Sequence, residues 1–157
     1  PTGTELVNDL KASCSMPFLM EPQVTSKGEC LDGGVADSIP YDVAKEQGYK
    51  KIVVVRTRPH DYHKKPTPKL LQQMYRHTFK ESPRFAETGI KRPEMYNQQV
   101  DVVNEKAATS EWFKFSPENM VKVGRLEKNT NKLKALYHQG QQQAEELLPM
   151  LQDYLTK

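Results

Sequence analysis

Apolar positions along the chain fall into short runs and helical stripes. Leu6 and Leu10 stand four apart in a segment closed by Pro17, which predicts a short helix over 5–15. A proline-bounded turn, Pro17 to Pro22, follows. After Ser26-Lys27-Gly28, the stretch Glu29-Cys30-Leu31 reads as a strand ending in a tight loop at Asp32-Gly33-Gly34. Ser38 and Pro40 open a helix that Gly48 stops. Ile52-Val53-Val54-Val55 places four β-branched residues in a row, without alternation, and so predicts a strand buried on both faces, as in the centre of a parallel sheet. Strand, helix and buried strand make a βαβ unit, and the predicted class is α/β.

The polar, proline-rich stretch Pro59 to Pro68 reads as a loop leaving that strand. Three helical patterns come next: Leu70, Leu71, Met74 and Tyr75 on one face, a second helix from Ser82-Pro83, and a third opened by Pro93 with Tyr96, Val100, Val103 and Ala107 inward. A last strand is predicted near 112–116. From Thr130 a stripe from Leu133 to Leu155 predicts a packed core helix, flanked by Glu145, Glu146 and Asp153, that Pro149 must kink or divide. Residues 1–58 thus read as a β/α core with the Asp-Gly-Gly loop, and 59–157 as a mainly helical region with one strand.

At 157 residues with 36% apolar, the chain is long enough for one compact domain. Its net charge of +3 is spread along the sequence rather than gathered into blocks, which argues against a nucleic-acid partner. Cys14 and Cys30 read as packed, free thiols of a reducing compartment. The longest apolar run is far short of a membrane span, and the first residues hold no signal-like region, so a soluble, cytoplasmic protein is expected. The chain begins at proline without an initiator methionine, which suggests a piece of something longer.

The informative constellation is Asp32-Gly33-Gly34, where a predicted strand gives way to a loop. Paired glycines let another segment or a substrate approach the carboxylate, and open α/β sheets place ligand sites beyond the carboxyl ends of their strands. Taken alone, the tripeptide is also an ordinary turn signal. Its setting adds to it. Lys11-Ala12-Ser13-Cys14-Ser15-Met16-Pro17, then Pro22, then Leu31-Asp32-Gly33-Gly34 through Pro40, resembles the patatin-like phospholipase family, in which an A-S-x-x-x-P segment precedes a D-G-G/A segment. Ile52 to Pro59, Tyr62, Lys64-Lys65, Arg92, Tyr96-Asn97, Tyr137 and Gly140 are similar to bacterial members.

The resemblance implies the C-terminal part of a three-layer fold with a mostly parallel central sheet. It also implies a Ser-Asp dyad hydrolysing a lipid or other carboxylic ester, with Asp32 as proton acceptor and Gly33 and Gly34 shaping its loop. Neither a metal nor an organic cofactor is implied. The family's G-x-S-x-G elbow and glycine-rich oxyanion loop are missing: none of Ser13, Ser15, Ser26, Ser38, Ser82, Ser110 or Ser116 has glycines at the required offsets. Both motifs lie upstream in that family, so a chain starting partway through the fold is expected. Such a fragment is expected to be inactive and to self-associate through its uncovered edge, with peripheral membrane contact a further option.

Rival constellations are weaker. His60-Asp61-Tyr62-His63 with His77 could suggest a metal site, but no second ligand cluster accompanies it, and a solvated loop fits better. Arg56, Arg58, Lys64, Lys65 and Lys69 form a basic strip near Tyr62, which supports the alternative of a noncatalytic module binding anionic lipid or nucleic acid. Arg92, Tyr96 and Asn97 read as structural.

Overall fold

A computed structural model describes residues 3–124 and 126–157. Among the described residues helices dominate, accompanied by four short strands: α1 Thr4–Ser13, β1 Gln23–Thr25, β2 Gly28–Cys30, α2 Tyr41–Glu46, β3 Val53–Val55, α3 Lys69–Thr78, α4 Pro83–Ala108, β4 Phe113–Phe115 and α5 Thr130–Thr156. The class is mixed α/β. The described strands make two separate two-stranded sheets, β1–β2 antiparallel and β3–β4 parallel, rather than one central sheet. The chain divides into two compact units, Pro1–Pro40 with His63–Gln99, and Tyr41–Tyr62 with Val100–Lys157.

In the first unit, the strand predicted before Asp32 is one arm of a hairpin, not part of a parallel sheet. Its turn closes at Gly28, whose φ of 99° is a conformation glycine adopts without strain. Ala12, Ser15, Val35, Tyr75, Ala86 and Tyr96 are buried here. Phe18 accepts a left-handed backbone, φ 67°, and its ring packs edge-on against Tyr75 and Phe79 with centroids 4.6 and 5.5 Å away.

The two helices predicted on either side of Pro93 are one, because α4 runs through it. Proline removes one N–H from the ladder, but the buried stripe Ala86, Tyr96, Val100 and Val103 continues across it, and burial of that stripe outweighs a single lost rung. α5 likewise passes through Pro149. Its start is capped by Asn129, whose side-chain oxygen accepts from the N–H groups of Asn131 at 3.0 Å and Lys132 at 3.3 Å.

In the second unit, Val53, Val54 and Val55 pair with Phe113, Lys114 and Phe115. Only Val54 of β3 is buried, and Val55 is 73% exposed, so the expected two-sided burial is corrected to one-sided. A strand with one partner and one covered face has nowhere to hide both sets of side chains. Tyr154 anchors α5 to this pair: Ile52 N–H donates to its hydroxyl at 3.0 Å, and the hydroxyl donates to Glu111 O at 3.0 Å. The predicted core stripe is largely exposed, including Leu133, Tyr137, Leu148 and Leu155. The stripe was expected to be packed, yet among the described residues Tyr154 is the buried residue of α5.

Gly89 of α4 faces the Tyr75 ring so closely that an added Cβ would lie 2.7 Å from Cζ and nearer still to Cε1. Alanine is the better helix former by about 1 kcal/mol, but the ring is held against Phe18 and cannot easily retreat. Gly89→Ala is expected to destabilise the fold by about 1–3 kcal/mol through overpacking. A urea midpoint that rises instead would show that the ring gives way.

Candidate functional site

Asp32 stands at the start of a 3-10 turn, Gly33–Val35, with its Oδ1 accepting from Gly34 N–H at 2.8 Å. No hydrogen bond reaches its second oxygen among the described residues, and the side chain is half-buried. The loop around it is held from several directions. Asp32 N–H donates to Ser15 O at 2.8 Å, and the Gly34 carbonyl accepts from Arg92 Nε and from Ser38 Oγ, each at 2.7 Å. Gln99 clamps the far end, donating to Asp37 Oδ1 at 2.6 Å and accepting from Ile39 N–H at 3.0 Å. Gly34 is needed for space: a Cβ there would lie 3.1 Å from Asp32 Oδ1 and 3.6 Å from Arg92 Nη2.

The serines that brace this loop are already engaged. Ser15 is fully buried and its Oγ donates to Lys11 O at 2.8 Å; Ser38 is bound to Gly34. The site as folded is therefore a fixed carboxylate with one open oxygen. Asp37, five residues on, is the partner of Gln99.

A second cluster lies in the other unit, beyond the carboxyl end of β3. Arg56 is buried and directs Nη2 to Pro59 O at 3.0 Å and Nη1 to His60 O at 3.2 Å. Asn104 of α4 donates to the same His60 carbonyl at 3.0 Å. Lys114 Nζ donates to Asn104 Oδ1 at 2.7 Å and lies 2.7 Å from His60 Nδ1. Burial, and secondarily the Arg56 guanidinium, hold the Lys114 ammonium pKa below the usual lysine range. The sequence reading missed Lys114 and Asn104. The available signal was a single cation between Phe113 and Phe115 in an otherwise apolar strand.

The remaining candidates scatter. The basic strip is divided between the units, and Arg56 is buried rather than solvated. Arg58 lies over the Tyr62 ring at 5.2 Å, and Lys64 over Tyr96 at 3.9 Å, while Asn97 grips the backbone N–H and carbonyl of Lys64. No group of three or more His, Cys, Asp or Glu side chains could hold a metal among the described residues. Both cysteines are free, and Cys14 is exposed rather than packed in the core. None of the described helices is long and apolar enough to cross a membrane.

Arg92→Met removes the charged donor from the Gly34 carbonyl but leaves Ser38 in place, so a loss of about 1–2 kcal/mol is expected in chemical denaturation. An unchanged midpoint would show that Arg92 does not hold the loop. For Lys114, folding lowers the pKa below its unfolded 10.5, so the unfolded state binds more protons between the two values. The cost of the buried charge is present below the folded pKa and is relieved as pH rises toward 10.5. The stability of the wild type relative to Lys114→Met should therefore climb over that window; a flat difference would contradict the burial of the charge.

Residues 82–156 match the model of a domain of unknown function (DUF6363). Over 77 residues the chain is 35% identical to the uncharacterized protein YjjU of Escherichia coli (strain K12), covering 48% of this chain and 21% of that protein. The chain thus spans about a fifth of the length of this curated relative. No solved structure matches. These findings correct the resemblance to patatin-like phospholipases: the matching family model is a domain of unknown function, it does not indicate a patatin domain, and it lies outside the segment Lys11 to Pro40 on which that resemblance rested.

Proposed function

We propose that this chain contributes the proton-accepting carboxylate of a serine-type acyl-ester hydrolase, with the serine and its oxyanion-stabilising donors supplied by polypeptide outside these residues. The observation that carries the reading is the posture of Asp32, one oxygen fixed by Gly34 N–H and the other open, on a loop braced by Arg92, Ser38 and Ser15. A general base must be held in place before it can be matched to its proton. In this role the open oxygen takes the serine hydroxyl proton as the serine oxygen attacks the ester carbonyl. The proton then passes to the departing alcohol, and water, activated by the same carboxylate, releases the acid from the acyl-serine.

The substrate class is a lipid or another carboxylic ester. In the same reading, the parallel β3–β4 pair is one margin of a larger, mostly parallel sheet in a three-layer arrangement. The exposed apolar residues of α5 are where the isolated segment self-associates or meets a membrane surface.

The segment alone is expected to leave p-nitrophenyl butyrate unhydrolysed. In the natural polypeptide that carries it, Asp32→Asn should lower kcat by about 10²–10⁴-fold, with an unchanged melting temperature. Asp37→Asn, whose carboxylate already belongs to Gln99, should stay near wild-type activity. Near-normal kcat in a well-folded Asp32→Asn protein would sink the reading, as would greater damage from Asp37→Asn.

A further inference from the structure

A cleft opens in the second unit between the end of α4, β4 and the last turns of α5, with a cavity volume of about 370 Å³. Small-molecule sites run from roughly 300 to 1,000 Å³, so the cleft suits a small ligand. None of the residues around Asp32 lines it. Trp112, Phe113, Leu147, Met150 and Tyr154 give it an apolar lining, in which Trp112 is buried while Met150 is 61% exposed. Apolar surface left open to water in this way gains from being covered by hydrocarbon, and methionine and leucine adapt readily to a flexible chain.

The walls are set before any ligand arrives. Phe113 N–H donates to Ile52 O at 2.9 Å, Trp112 N–H donates to Lys106 O at 3.1 Å, and the Tyr154 hydroxyl is held between Ile52 and Glu111. Ser110, also on the lining, keeps a left-handed backbone, φ 58°, where glycine would be free of strain. Such conformations persist where the surroundings over-determine them, and they cluster at ligand sites.

The polar part of the lining is mainly positive: among the described residues, Lys51, Lys114 and Lys157 line the cleft together with one acid, Asp153. Lys51 is positioned rather than loose. Its Nζ donates to Tyr154 O at 2.8 Å and lies 4.6 Å from the centre of the Tyr154 ring. An ammonium carries three hydrogens, and the Tyr154 carbonyl engages one of them.

We propose that this cleft binds a carboxylate with an unbranched apolar tail, a medium-chain fatty acid, with the tail against Trp112, Leu147 and Met150 and the carboxylate on Lys51. A single fixed ammonium beside an extended apolar lining matches a ligand with one negative charge and a hydrocarbon body. The site binds the acid without reacting with it, and it stands whether or not Asp32 serves an esterase.

Trp112 is the one tryptophan of the chain, so its emission reports on this cleft. Titration of the 157-residue chain with decanoate, below its micellar concentration, should change that emission saturably with one site per chain. Decanol, the tail without the charge, and acetate, the head without the tail, should each bind at least about tenfold more weakly. Lys51→Met keeps the stem and removes the ammonium; it should weaken decanoate by about tenfold and leave decanol unchanged, a split that general loosening would not produce. Ala107→Leu fills the cleft from α4 with a residue the helix accepts and should weaken both ligands. Circular dichroism checks the folds, and if Lys51→Met unfolds, the decanoate-to-decanol ratio of the wild type and the Ala107→Leu titration carry the comparison. Non-saturable uptake, equal binding of decanoate and decanol by the wild type, or undiminished decanoate binding by folded Ala107→Leu overturns the site.

Discussion

The hydrogen bond from Arg92 Nε to the Gly34 carbonyl spans 58 positions of sequence and brings the Asp-Gly-Gly loop under the control of α4. Backbone that has left a sheet has no ladder to satisfy it, and an unpaired buried polar group is costly. α4 meets that need repeatedly in the first unit: Gln99 reaches Ile39 and Asp37, and Asn97 takes both the N–H and the carbonyl of Lys64. The same helix supplies Asn104 to the His60 loop in the second unit. These loops are shaped by side chains of one long helix rather than by strand pairing.

This arrangement explains why α4 tolerates proline in its interior. Its apolar stripe is buried and its polar residues are committed to loops, so breaking it at Pro93 would lose far more than the one missing N–H. It also gives the two polar centres different characters. At Asp32 the loop is clamped while a carboxylate oxygen is left open. Around Lys114 the amide of Asn104 gathers cations, and burial opposes the charge of the lysine.

The second unit relies on a different device. Among the described residues β3–β4 is only a pair, and two strands alone are marginal in water. Tyr154 compensates by placing a phenol between the strand-flanking Ile52 and Glu111, with its ring against Phe113 at 5.8 Å and Lys51 over the ring at 4.6 Å. A single residue in the last turns of α5 therefore carries much of that helix's attachment, while Leu133, Leu148 and Leu155 face outward.

The sequence by itself determined what depends on local periodicity and backbone chemistry. The α/β class, the strand at Phe113–Phe115, the loop before α3 and the turn at Asp32 were all legible, because apolar spacing, β-branching, proline and paired glycines act over a few residues. Tertiary structure alone decided the rest. Whether Pro93 divides a helix depends on what is buried on either side of it, and whether Val55 is buried depends on a partner sheet that its own sequence does not encode. Asp32 could be found as a motif, but its bracing by Arg92 and Ser15 arises from residues far away in sequence. Lys114 carried the least signal of all, since one lysine in a strand looks like any solvated charge until Arg56, His60 and Asn104 are folded around it. The environment of a charge is set by long-range contacts, and those no local pattern records.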